Sequence, residues 1–184
     1  MPKNQKQNIS LKMTAALAMM VAISIILGKY LALSLGEVLR FSLENLSVIF
    51  SGIVFGPLAG VLVAVTADLV GCVLVGYTVN PLVTLGAAVI GLVSGFAPIL
   101  LKKYTDISGA GIVLITVVLS HLCGSVIIKT FGLAVFYDMP IFILMLWRLL
   151  NYTIVSVAES LILCVLFKRE KVIRQIEKIK QESK

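Results

Sequence analysis

Charge is scarce in this chain, and negative charge scarcest. Asp and Glu number 9 and Lys and Arg 16 among 184 residues, 14% in all, against about 25% in soluble domains. There is one His, one Trp and three Cys. Each shortage removes a class of chemistry. No Gly-x-x-x-x-Gly-Lys-[Ser/Thr] phosphate loop is present, so ATP hydrolysis by that route is excluded. No His-Glu-x-x-His zinc motif occurs, and a lone His121 lacks companion ligands for a metal. Cys72, Cys123 and Cys164 are odd in number and have no Cys-x-x-Cys spacing, which argues against a disulfide framework or a zinc site and for small packing residues. Gly91-Leu-Val-Ser94-Gly95 departs from the Gly-x-Ser-x-Gly elbow, and nothing recognisable pairs Ser94 with His121. An intramembrane enzyme is therefore the weaker class, and no cofactor is implied.

What is abundant is apolar. Hydrophobic residues make up 59% and the mean hydropathy is +1.06. Such a composition belongs in a bilayer. At about 20 residues per span, the chain has room for roughly six helices and none for a soluble catalytic domain. The expectation is an all-α membrane protein forming a single membrane domain over 1–184. Its spans are placed at 11–28, 40–55, 58–75, 82–101, 112–128 and 140–167, with a basic tail over 168–184. The first apolar stretch is read as helix one and not as a cleaved signal peptide, because further spans follow it. Residues 29–39 are expected to form an outer loop or short re-entrant segment, and 76–81 and 130–139 the other outer loops.

Charge placement orients the bundle. Of 16 basic residues, 12 fall in three places: Lys3, Lys6 and Lys12; Lys102 and Lys103; and Lys168, Arg169, Lys171, Arg174, Lys178, Lys180 and Lys184. Six spans put all three on one side, and the positive-inside rule makes that side cytoplasmic, so both termini lie in the cytoplasm of a multi-pass cell-membrane protein. The tail sets Val172, Ile173, Ile176 and Ile179 on one stripe, giving an interfacial or helix-extending amphipathic segment. Membrane anchorage is a better account of its basic residues than nucleic-acid binding.

The remaining cations, Lys29, Arg40, Lys129 and Arg148, all fall toward the outer side from four different helix ends. Nine of 14 aromatics share that side, among them Tyr77, Tyr137, Trp147 and Tyr152. Convergent cations with flat walls suit an anionic ligand that contains a planar ring. Interfacial anchoring is the plain alternative for Lys29 and Lys129, and an intrahelical pair with Glu44 is the alternative for Arg40. Arg40, Glu44, Ser47 and Ser51 make one helical stripe. Asp68, alone in the apolar run from 45 to 95, serves either a packing hydrogen bond or a ligand. A structural partnership with His121 is the expectation for Glu159. Arg148 lies deepest, with Asn151 beside it. Ion pairs with Glu44 or Asp68 are its structural alternative.

The segment FGPLAGVLVAVTADLVG, residues 55–71, resembles the substrate-binding S-components of energy-coupling factor (ECF) vitamin transporters, most of all the folate-specific branch (FolT). The similarity extends over nearly the whole chain: the Lys-flanked first helix, the Arg40-Phe41 entry to span two, the Gly-Pro-Leu-Ala-Gly turn, the Ala-Asp-Leu-Val-Gly segment and the basic end. It implies six helices, an outward-facing vitamin pocket gated by the loops after spans one and three, a membrane partner (EcfT) and two cytosolic ATPases. It also implies that Ala18 and Ala22 match the Ala-x-x-x-Ala surface for EcfT. Folate has a flat pterin, an aromatic linker and two tail carboxylates. Asp68, Glu44, Asn45, Asn80 and Asn151 are candidates for the pterin's donor edge, and Arg148, Arg40 and Lys129 for the acidic portion. Another vitamin in the same fold is the main rival, and an uncoupled channel a rival of a different class.

The topology has a direct test. A cysteine placed beside Lys102 is expected to react with an impermeant thiol reagent only from the inner side, and labelling from outside intact cells would overturn the orientation.

Overall fold

The computed structural model describes residues 11–35, 39–105 and 107–181, with the side chains of Ser34, Leu35, Leu39, Arg40 and Tyr137 outside that description. Lys3, Lys6 and Lys184 of the basic set also lie outside the described residues. The architecture is nearly all helical. Helix α1 (Leu11–Ile25) runs into a π-helical turn (Ile26–Tyr30) and is followed by a hairpin of β1 (Leu33–Leu35) and β2 (Leu39–Phe41). The strands are antiparallel, with Ser34 opposite Arg40. Then come α2 (Glu44–Phe55), α3 (Pro57–Val75) and α4 (Pro81–Tyr104). Helix α5 (Gly109–Ser120), a π-helical stretch (His121–Ile128) and α6 (Lys129–Tyr137) follow one another without a break, before α7 (Ile141–Phe167) and α8 (Glu170–Gln181). Among the described residues, five stretches are long and apolar enough to cross a membrane, and α2 is a shorter apolar helix.

Two local expectations are revised. The second helix starts at Glu44, not Arg40, because residues 39–41 pair with 33–35 as a strand, so Arg40 leaves the stripe formed with Glu44, Ser47 and Ser51. Residues 130–137, expected as loop, continue the fifth span as α6. The helix carries through Gly132 because it packs there against α4: a Cβ on Gly132 would meet Leu82 Cβ at 2.7 Å. Of the two alternatives for the tail, interfacial or helix-extending, the chain forms a separate helix, α8.

Helix boundaries follow ordinary terminal chemistry. Gly56 takes φ 95° and Pro57 opens α3 at its first position, where a missing N–H is harmless. Gly76 ends α3 in the left-handed conformation with φ 70°. Asn80 caps α4: its Oδ1 accepts from Leu82 N and Val83 N at 3.0 and 3.4 Å.

Helix α4 is the hub, lying against α2, α3, α5, the second π segment and α6. It reaches so many neighbours because small residues let backbones meet, the usual device where lipid removes any hydrophobic drive between helices. Gly91 abuts the Gly60 carbonyl of α3, and a Cβ on Gly60 would fall 2.5 Å from Gly91 O. Val48, Ile49, Val63, Ala87, Ile90, Val117 and Leu163 close the core around this crossing.

That crossing is sensitive to a single methyl group. Gly91→Ala is expected to force α3 and α4 apart and to lower stability by about 1–3 kcal/mol, read as a drop in the thermal unfolding midpoint in detergent. Gly109→Ala, where a Cβ meets nothing within 4 Å, is expected to leave the midpoint unchanged.

Candidate functional site

Four helices bring charge to one place. Lys29, at the π-helical end of α1, Glu44 and Asn45 in the first turn of α2, Asp68 in α3 and Lys129 at the start of α6 line one cavity, with Ser24, Ala64 and Ala87. Lys129 is 5% exposed, and its Nζ donates to Glu44 Oε1 at 3.2 Å. Thr84 Oγ1 of α4 donates to Asp68 Oδ2 at 2.6 Å. Ser24 Oγ donates to the Glu44 carbonyl at 2.7 Å, tying α1 to the first turn of α2. Glu44 also sits where the helix dipole favours a carboxylate. Two acids and two cations thus offset one another inside an apolar bundle.

Glycines make the room. A Cβ on Gly28 would lie 2.7 Å from Glu44 Cβ, one on Gly71 2.9 Å from Lys29 Cε, and one on Gly86 2.5 Å from Lys129 Cγ. Each long charged side chain therefore crosses a helix where that helix has no side chain of its own. The space left over is small, about 20 Å³, room for roughly one water. Ligand pockets run to about 300–1,000 Å³, so a vitamin-sized ligand requires the helices or loops to move. The hairpin after α1 lies against α7 through β2, and residues 76–80 join α3 to α4.

A second polar cluster occupies the α5–α7 seam. His121 Nε2 lies 2.7 Å from Glu159 Oε2, and both residues are at most 1% exposed. The other ring nitrogen, Nδ1, shares a hydrogen bond of 3.2 Å with Ser125 Oγ. Tyr152 stacks on His121 with centroids 4.9 Å apart. Arg148 donates to Ser125 O from Nε at 3.2 Å and Nη2 at 3.0 Å, and lies 5.1 Å from the Tyr152 ring centroid. The π-helical stretch carries both His121 and Ser125. A wider turn of this kind often marks a functional or strained position. Thr116 Oγ1, Ser120 Oγ, Ser160 Oγ and Glu159 Oε1 are buried without a hydrogen-bond partner among the described residues, so this seam holds more polar atoms than it satisfies internally.

The site residues expected from the sequence therefore separate. Glu44, Asn45, Asp68 and Lys129 meet in the cavity. Arg148 and Tyr152 belong to the seam, where Arg148 bonds a carbonyl and Tyr152, not Glu44 or Asp68. Asn80 is engaged structurally, capping α4 and donating to Gly132 O at 3.0 Å. Asn151 is buried in α7. Tyr77 is exposed under Lys29, whose Nζ lies 5.6 Å from its ring, and Trp147 is 44% exposed, so neither walls the cavity. The side chains of Arg40 and Tyr137 lie outside the described structure. Sequence reasoning missed Ser24 and Thr84, whose partners lie 20 and 16 residues away, and Ser125, which bonds His121 four residues before it and Arg148 23 residues after it. It also missed the pairing of Gly28, Gly71 and Gly86 with charged side chains, since glycine in an apolar run reads equally well as helix packing. Ala18 and Ala22, the expected partner surface, are exposed on α1.

Residues 8–172 match a family model described as "ECF-type riboflavin transporter, S component". Among solved structures, a crystal structure of FolT bound with folic acid superposes with a TM-score of 0.66 at 21% identity, covering 83% of this chain and 90% of that one. The S component of a bacterial ECF transporter superposes with a TM-score of 0.60 at 18% identity, covering 86% and 98%. At these identities the two likenesses speak for the fold. No curated protein matches the sequence.

The ion pair at the cavity can be tested on its own. Glu44→Gln leaves the Lys129 ammonium short of countercharge, and is expected to destabilise by about 3 kcal/mol, the lower end for a buried pair, because Glu44 is 26% exposed. Adding Lys129→Met to it is expected to recover much of that loss. Thermal unfolding of the two single variants and the double variant measures the coupling.

Proposed function

Since the chain belongs to the S-component family of ECF-type riboflavin transporters, we propose that it is the subunit that captures folate at the outer side of the cell membrane. Its one membrane domain has both termini in the cytoplasm, and it delivers the vitamin inward with EcfT and two cytosolic ATPases. The observation that carries the folate reading is the cavity's donor and acceptor set. Glu44, Asp68 and Asn45 stand together beside Lys29 and Lys129. A pterin presents an amino group and a ring N–H side by side, and a carboxylate receives such an edge in two parallel hydrogen bonds. The tail carboxylates then take cations. Lys129 is the nearest, and Arg148 and Arg40 join it once the site opens. Tyr152, already beside Arg148, is the ring wall best placed to follow it.

Riboflavin is the second reading, and the description of the matched family favours it. An isoalloxazine is neutral and offers one ring N–H between two carbonyls. It would draw on Asn45 and the lysines more than on two carboxylates. In either case binding opens the closed cavity through the hairpin after α1 and residues 76–80. The exposed small face at Ala18 and Ala22 permits the close backbone approach that a helical partner requires. Energy for uptake comes from the ATPases, since the chain carries no phosphate loop of its own.

Purification without added ligand, followed by ultraviolet and mass spectra and by calorimetric titration of both vitamins, discriminates the two. A co-purifying pterin is expected. Asp68→Asn is expected to weaken folate binding by about 10- to 150-fold, the equivalent of one charge-assisted hydrogen bond, while riboflavin titrates weakly or not at all. A co-purifying flavin, with folate inert, would exchange the two readings.

A further inference from the structure

Among the described residues, α8 is the most amphipathic helix and has no buried residue. Val172, Ile173, Ile176 and Ile179 form its apolar stripe, while Lys171, Arg174 and Lys178 fall on the opposite side at 100° per residue. The bundle covers the apolar face only in part: Val172, Ile176 and Ile179 are half-buried, Ile173 is exposed, and the basic face is exposed throughout. The first helical turn of α8 is not a continuation of α7. The α7 ladder closes at Phe167, Arg169 N bonds back three residues to Leu166 O, and Arg169 O then accepts from Val172 N and Ile173 N to start a new helix. From there α8 returns far enough across the end of the bundle to touch α1. It therefore runs across the bundle end and does not extend α7 outward.

Depth fixes what lies beside it. Helix α7 has 27 residues, about 40 Å at 1.5 Å per residue, which exceeds a hydrocarbon core of about 30 Å. Phe167 still packs inside, stacked on Phe50 at 5.5 Å, and charge begins at the next residue, Lys168. Helix α8 consequently starts at the level where chain tails give way to headgroups. The same end of the bundle carries Lys12, Lys102, Lys103, Lys168 and Arg169 besides the lysines and arginine of α8, against Glu170 and Glu177 as its acids among the described residues.

We propose that α8 is a lipid-docking helix that lies in the membrane plane, its Val172–Ile176–Ile179 stripe in the acyl boundary and its basic side chains on anionic phospholipid headgroups. An apolar stripe of four residues on a 12-residue helix binds a membrane only marginally alone. Tethering to α7 removes the cost of bringing the helix to the surface, and each nearby Lys or Arg adds attraction to an anionic leaflet. The proposal rests on membrane insertion, and not on which vitamin is carried.

Amide hydrogen exchange over 170–181 tests it on the full chain in nanodiscs, one set of neutral phosphatidylcholine and one containing about a third phosphatidylglycerol. Exchange is expected to be about tenfold slower in the anionic discs, the equivalent of one or two basic contacts, and to speed up again in high salt. Ile176→Glu is expected to abolish the difference while leaving the unfolding midpoint of the bundle in place, since α8 holds no core residue. Equal exchange in the two lipids would overturn the proposal. So would protection that arises only when the transporter's partner subunits are added, because the stripe would then be a protein interface.

Discussion

A lysine ammonium inside an apolar helical bundle loses most of its hydration, and the geometry around Lys129 follows from that constraint. Its charge requires a carboxylate within reach, and Glu44 supplies one at 3.2 Å. Glu44 must then stand at the inward side of the first turn of α2, which the bond from Ser24 to its carbonyl helps to hold. The stem of Lys129 needs a passage across α4, and Gly86 leaves one. Position, backbone and small-residue placement on three helices are thus tied to one ion pair. Asp68 with Thr84, and Lys29 beside Gly71, repeat the pattern at the same cavity.

Such a site is closed by its own chemistry. With cations and acids neutralising each other, the cavity has little net charge to offer and little volume. Under the proposed function, a ligand would have to take over partners that the side chains now provide for one another. That favours a ligand with both donors and acceptors over a simple anion, since a simple anion would claim Lys129 and strand Glu44. A vitamin ring with a hydrogen-bonding edge meets this condition, and the membership of the family in vitamin transport is consistent with it.

The α5–α7 seam obeys the same rule by another route. His121 and Glu159 pair at full burial, and Ser125 serves the seam twice, with its hydroxyl toward His121 and its carbonyl toward Arg148. The π-helical geometry shifts backbone bonding in that stretch from the fourth to the fifth residue, as Lys129 N to Gly124 O shows. Seam and cavity are joined through one helix, since Ser125 and Lys129 lie one turn apart.

Fold class and the asymmetric placement of charge were legible in the sequence, because apolar length and the positions of Lys and Arg are properties of the chain taken in order. The resemblance of residues 55–71 to the S-components was legible for the same reason. So was the cost of Asp68 in an apolar run, which marked it as a residue needing a partner. Which partner it finds was not legible. Thr84, 16 residues away, and the Lys129–Glu44 pair, 85 residues apart, depend on how α3, α4 and α6 are rotated against each other. The rotation is set by close approaches such as Gly60 to Gly91, and glycine leaves no sign in the sequence of which backbone it will meet. Periodicity likewise could not tell a helix from a strand at residues 39–41, where three residues are too few to show a period, nor a loop from a helix at 130–137, where packing against Leu82 decided. Local composition therefore determined that the chain is a membrane protein built of apolar helices. Only the tertiary structure decided which charges meet there, because each charge is stabilised by a group that the sequence places far away.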